Sequence, residues 1–140
     1  MIFSTPEAAE AAFYSAFETR NLDAMMAVWA DDDSIACIHP LSAPLDGRAA
    51  VAAGWRSMFE AAGQFQIQVE IAHEIREASR VIRIVREYLV IGQETEPRPP
   101  ILATNLYRKE GEGWNLMLHH ASPLQVGITQ PTRSASVVLH

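Results

Sequence analysis

The sequence predicts an α+β domain: three N-terminal helices packed on the concave face of a curved sheet, mixed but mainly antiparallel, in a cone-shaped fold. Apolar residues recur at helical spacing up to about residue 62, and the period changes to two from residue 64. The strands after that point are separated by short turn-forming stretches. Helices first and hairpin-linked strands after them imply segregated layers, and the sheet face that must be buried needs those helices as its cover. Helices crossing the hollow side of a twisted sheet leave a tapering space, so the fold class itself predicts a pocket.

Thr5-Pro6-Glu7 opens the first helix with a capping hydroxyl, a proline whose missing N–H costs nothing in the first turn, and an acid facing the positive helix end. Ala9, Phe13, Ala16 and Phe17 share one face, and the helix is expected to reach about Arg20. Asn21 caps a second, shorter helix with Leu22, Met25, Met26 and Trp29 at helical spacing, ended by Asp31-Asp32-Asp33. Residues 34–39 read as a short strand closed by Pro40, and a loop punctuated by Pro44 and Gly47 follows. A third helix over about 48–62 carries Val51, Trp55, Met58, Phe59 and Ala62 on one stripe, with Gly63 as its expected C-terminal cap. Phe65, Ile67, Val69 and Ile71 then alternate with Gln64, Gln66, Gln68 and Glu70, a strand with one wet face. Residues 80–91 turn apolar on both faces toward their end, as a more central strand does. After a proline-rich loop over 93–100, strands over 101–109 and 114–122 are joined by the hairpin Glu110-Gly111-Glu112-Gly113.

A chain of 140 residues predicts one domain, placed at 5–123, with an irregular tail over 124–140 that ends in apolar Val137-Val138-Leu139. Hydrophobic residues at 49% and charged residues at 20% fit a globular chain and exclude a disordered one. Net charge is −6 and the cations are scattered, which argues against nucleic acid and anionic membranes as partners, since phosphate contacts need clustered cations. Cys37 is the single cysteine, so no intramolecular disulfide forms. No stretch approaches the ~20 apolar residues of a membrane span, and the first residues lack the cationic start and apolar run of a secretory leader. A cytoplasmic protein is expected. No pattern calls for a cofactor.

Four stretches carry a resemblance: Val28-Trp29-Ala30-Asp31-Asp32 after the paired helices, Ile38-His39-Pro40 at a strand end, Gly47-Arg48 leading into the helix with Trp55, and the run from Gly113-Trp114 to His119-His120-Ala121-Ser122. In order and spacing they resemble the nuclear-transport-factor-2-like superfamily, in particular its SnoaL-like branch, over about residues 5–123. The resemblance implies the helix-backed curved sheet, a pocket in the cone, and a homodimer through the outer sheet face. Its members include ketosteroid isomerases, dehydratases, polyketide cyclases, epoxide hydrolases and non-catalytic association domains, so the fold alone does not fix an activity. Enzymes of the superfamily usually place an Asp, or an Asp–His pair, in the pocket, and this sequence has no obvious Asp on its strands.

The candidate residues follow from strand parity and position. His119 and His120 are adjacent on a strand and point to opposite faces, so one at most enters the pocket and the two cannot share a metal. Met117 and His119 are assigned to the pocket side by the resemblance to the association domains, with the opposite assignment open. His119 is the candidate general base, and His39, at a strand end before Pro40, is the second. Met25, Trp29, Trp55 and Phe59 are candidate walls for an apolar or aromatic ligand, since core and pocket wall overlap in a cone. Asn105, close to the level of His119 on the paired strand, and Tyr88 are candidate polar tips for a carbonyl or carboxylate. A metal would need His39 and His119 with a carboxylate such as Glu87, without the tight ligand spacing of a metal motif, so none is assigned. Cys37 and His39 lie two apart with parallel side chains, poor geometry for a nucleophile pair.

Two functions follow. The first is a pocket for a small apolar or aromatic molecule, which as an enzyme would run proton-transfer chemistry: isomerisation, dehydration or cyclisation. The second is a non-catalytic dimerisation or accessory module with a closed pocket, its C-terminal tail serving as lid or subunit clasp.

Overall fold

The structure, a computed structural model, describes residues 2–124. The tail from residue 125 on, with the lid or clasp expected of it, lies outside the described residues. Helix α1 spans Pro6–Thr19, and the Thr5 hydroxyl accepts a hydrogen bond from Ala8 N at 3.0 Å. Arg20 ends it in the left-handed conformation. Helix α2 spans Leu22–Val28, with Asn21 Oδ1 accepting from Ala24 N at 3.0 Å. Both caps sit where sequence chemistry puts them.

Strand β1 is only Ala36–Ile38, and β2, Leu45–Asp46, falls inside what reads as a loop. Two residues are too few for any period, so β2 exists through its antiparallel pairing with β1 and not through its own pattern. Helix α3 spans Arg48–Ala61. Its C-cap is Ala62 in extended backbone and not Gly63, because the chain runs directly on into the next strand. Arg48 ties α3 to α2: its guanidinium donates to the carbonyls of Met26, Trp29 and Ala30, the orphan acceptors at the end of α2.

Strands β3 (Phe65–Arg76), β4 (Arg80–Ile91), β5 (Ile101–Glu110) and β6 (Gly113–Pro123) complete a six-stranded sheet in the order β2-β1-β6-β5-β4-β3. All neighbours are antiparallel except β1 and β6, which run parallel. The three helices lie on the concave face, as expected of this fold. Bulges at Ile71/His73 in β3 and between Leu116 and Leu118 in β6 interrupt the ladders, and such insertions bend and twist a sheet. Val81 and Val85 of β4 and Ala103 and Tyr107 of β5 meet Phe13 of α1 and Trp55 of α3 in the core, all fully buried. Among the described residues no layer covers the opposite face. There Ile75, Ile82, Leu106 and Leu118 stand in one register row across four strands.

Candidate functional site

Between the C-terminal half of α3 and the middle of the sheet lies a cavity of about 280 Å³. That is about the lower end of the range for small-molecule sites, a space of ring size. Phe17, Met58, Phe59, Phe65, Leu89 and Ile101 supply apolar wall. Three side chains bring polar atoms to it: His39 from the end of β1, Glu87 from β4 and His119 from β6.

His119 turns inward and is 1% exposed, whereas His120 is exposed on the other face. Its cross-strand partners are Cys37 on β1 and Asn105 on β5. Asn105 fixes the imidazole, with Oδ1 lying 2.6 Å from Nδ1 of His119. The amide has only one sensible orientation, because its Nδ2 faces the carboxylate of Glu10 at 3.2 Å and the hydroxyl of Tyr14 at 3.0 Å. Oδ1 can only accept, so Nδ1 of His119 carries the proton and Nε2 holds a lone pair. Nε2 makes no hydrogen bond among the described residues, where the fully buried side-chain atoms left without a partner are Trp29 Nε1, Trp55 Nε1 and Arg108 Nε. Burial, with the nearby His39 and His120 adding like charge, pushes the imidazole down to about 3, so it is neutral at physiological pH.

Behind the cavity runs a buried network that sequence reasoning missed. Tyr14 donates to Oε2 of Glu87 at 2.6 Å and accepts from Asn105. Glu10 accepts from Asn105, from Tyr107 at 2.8 Å and from Arg83 Nε at 2.8 Å. Glu87 is 2% exposed, and burial raises its carboxyl to about 7, with the Glu10 charge adding to the rise and the Tyr14 hydrogen bond opposing it. From the sequence alone, Glu87 is a candidate only as a metal ligand. Its signal was parity: Val81, Val85 and Glu87 lie on one face of β4, and a carboxylate on an apolar face needs a partner.

The other expected site residues divide. Phe59 lines the cavity. Trp55 is fully buried behind it, with its ring edge-on to His39 at a centroid distance of 4.7 Å, and is support, not wall. Met25 and Trp29 are core beneath α1 and α2, with Trp29 bridged to Leu116, and neither lines the cavity. Asn105 lies behind His119 with its amide consumed, so it orients the imidazole and offers no free group to a ligand. Tyr88 points to the outer face toward Glu70, its hydroxyl at 3.5 Å, because it follows the inward Glu87. Met117 is the extra residue of the β6 bulge: Leu106 pairs with Leu118 and Tyr107 with Leu116, so Leu116 and His119 both face inward and Met117 leaves the cavity side.

His39 Nε2 lies 3.7 Å from Cys37 Sγ, closer than parallel strand side chains suggest. A Cβ at Gly54 would collide with Leu45 and come within 3.6 Å of the same nitrogen, so the ring rests on a glycine. Burial lowers the His39 imidazole, and burial together with the Glu87 charge pushes the Cys37 thiol up to about 12. Such a thiol stays protonated and is no nucleophile. Among the described residues, no three of His, Cys, Asp and Glu gather as a metal ion would require, and no helix is long and apolar enough to cross a membrane.

A family described as SnoaL-like domain matches residues 7–126 of the chain. A solved structure from Thiobacillus denitrificans, provisionally described as a calcium/calmodulin-dependent protein kinase type II association domain, is 71% identical and superposes with a TM-score of 0.88, over 89% of this chain and 99% of that one. A protein from Streptomyces avermitilis, provisionally described as a dehydratase of the NTF2-like family, is 24% identical with a TM-score of 0.72, over 84% and 93% of the two chains; at that identity the likeness concerns the fold alone. Among curated proteins, the F-box protein SKIP8 of Arabidopsis thaliana is 25% identical over 114 residues, 81% of this chain. The chain spans about half of that relative, 47% of its length.

Proposed function

Since the chain belongs to the SnoaL-like domain family, we propose that it binds a small, largely apolar molecule in the cavity between α3 and the sheet, with Nε2 of His119 as its hydrogen-bond acceptor. The observation that carries this reading is the Asn105–His119 pair. A 2.6 Å hydrogen bond fixes one tautomer and leaves a lone pair on a buried side chain of the cavity wall. An imidazole nitrogen without a protein partner, on a side chain that lines the cavity, is free to accept a hydrogen bond from a ligand. The same neutral imidazole is suited to act as the base in a proton transfer on an apolar substrate, with Glu87 as the second group able to hold a proton. Asn105 acts as a positioning residue in this reading, and Tyr88 has no part in it.

The probe is 2-phenylethanol, an apolar ring with one hydroxyl. Calorimetric titration is expected to give saturable binding. His119→Phe removes the acceptor and Ala121→Leu fills the cavity without touching a polar group, and each is expected to weaken binding about tenfold or more. Unchanged affinity in both variants would remove the cavity as the binding site.

A second reading, assembly through the outer sheet face, is supported by a different observation. Ile75 is 48% exposed, and it continues into Ile82, Leu106 and Leu118 across four strands with no cover among the described residues. An apolar row of this kind fits a second copy of the chain. Sedimentation is expected to give twice the 15.5 kDa chain mass, with Leu106→Lys shifting it to the monomer. A wild-type monomer at high micromolar concentration would rule this reading out.

A further inference from the structure

The charge of the occupant can be read from what faces the cavity. No lysine or arginine lines it. Arg83, the cation on the same face of β4, is engaged by Glu10 and Glu74 on the far side of the network, and Arg86, next to Glu87, pairs with Glu70 on the outer face. Beside the neutral His39 imidazole, which carries one N–H and one lone pair, the protein offers the cavity two acceptors: Nε2 of His119, and the carboxylate of Glu87. Oε2 of Glu87 is occupied by Tyr14, and Oε1 makes no hydrogen bond among the described residues. Two hydrogen-bond acceptors, one of them a carboxylate and the only ionisable acid of the lining, complement a ligand that donates and carries positive charge. They repel a carboxylate or phosphate, which would find no compensating cation.

We propose that the cavity takes an amine: a primary or secondary ammonium on a ring-sized apolar body, with the ammonium on Oε1 of Glu87 and Nε2 of His119. This rests on the binding reading above and adds the chemical class of the ligand to it. An ammonium desolvated in such a site needs a charged partner close by, and Glu87 is the one group in the wall that can supply it. Around Glu87 stand Tyr14 and Glu10 from α1, Cys37 and His39 from β1 and its end, Arg83 on its own strand, and Asn105 and His119 from β5 and β6. Burial holds both imidazoles and the thiol in their neutral forms near neutrality. Glu87, with its carboxyl near 7, is therefore the group whose charge changes there. The ammonium itself stays charged throughout, since alkylamines titrate near ~10. Affinity for an amine thus falls as pH drops below about 7, where Glu87 takes up its proton.

The test compares three probes of one size by calorimetry: 2-phenylethylamine, 2-phenylethanol and phenylacetate. At pH 8 the amine is expected to bind at least tenfold tighter than the alcohol, with phenylacetate weakest. Between pH 8 and pH 5.5 the amine should lose tenfold or more in affinity while the alcohol changes less than twofold. Glu87→Gln should bring amine and alcohol within about twofold of each other, the amine losing the larger share. Should that variant fail to fold, the pH series on the unaltered chain decides alone. Equal binding of amine and alcohol, a preference for phenylacetate, or a flat pH profile for the amine overturns the amine assignment and leaves the binding reading standing. No binding of any probe overturns both.

Discussion

Glu10→Gln, a change of one oxygen to an amide nitrogen, is expected to destabilise the fold by about 3 kcal/mol or more, close to the cost of breaking a buried ion pair. Every group that Glu10 contacts through a hydrogen bond is a donor: Arg83 Nε, Asn105 Nδ2 and the Tyr107 hydroxyl. The site therefore needs an acceptor-only residue. Glutamine would turn its NH2 toward one of those donors, leaving a buried group without a partner whichever way the amide flips. Glu10 is 6% exposed and Tyr107 and Asn105 are fully buried, so water has little access to the donors of those two side chains. Chemical denaturation gives the value, and a cycle with Tyr107→Phe should return a coupling of about 1 kcal/mol or more. A loss below about 1 kcal/mol would mean that the network is not what joins α1 to the sheet.

The second large effect is a pair of opposing titrations. His119 is held neutral down to about 3 in the fold, against 6.5 for a free imidazole. Below 6.5 the unfolded chain binds a proton that the native state refuses, so this group's contribution is lost as pH falls from 6.5 toward 3. His39, also lowered by burial, acts in the same direction. Glu87 does the reverse. Its native carboxyl keeps its proton up to about 7 while the unfolded chain ionises above 4.5, so its contribution is lost as pH rises from 4.5 to 7. From pH 4.5 to 6.5 the two slopes oppose, each worth on the order of 1.4 kcal/mol per pH unit. Relative to the unaltered chain, Glu87→Gln should therefore gain about 3 kcal/mol of stability between pH 4.5 and 6.5, and His119→Gln should lose about as much. Stability curves of both variants running parallel to wild type across that window would refute the assigned protonation states.

These two effects lie where the sequence was least legible. Helix starts could be read because caps are local: the Thr5 hydroxyl and Asn21 amide reach nitrogens three residues away. The level of His119 against Asn105 could be read only to within a residue, because the two-residue hairpin sets the register up to Tyr107–Leu116 and the bulge at Met117 then shifts it by one. Parity failed at Met117, where one inserted residue shifts the phase of the strand, and nothing in Leu116-Met117-Leu118 marks a bulge. Which face Tyr88 takes was open on the sequence, and its side chain turns outward toward Glu70, one position after the inward Glu87. The network itself was out of reach. Tyr14 and Glu87 are 73 residues apart and Glu10 and Tyr107 are 97 apart, so their meeting depends on how α1 docks and not on any spacing along the chain.

The most direct test of a ligand site in this fold is a crystal structure grown with 2-phenylethanol. The ring should lie against Phe59 and Leu89 in the cavity, with its hydroxyl about 2.8 Å from Nε2 of His119. A cavity found closed by the protein's own side chains, or a His119 Nε2 already bonded to a protein group, would contradict it.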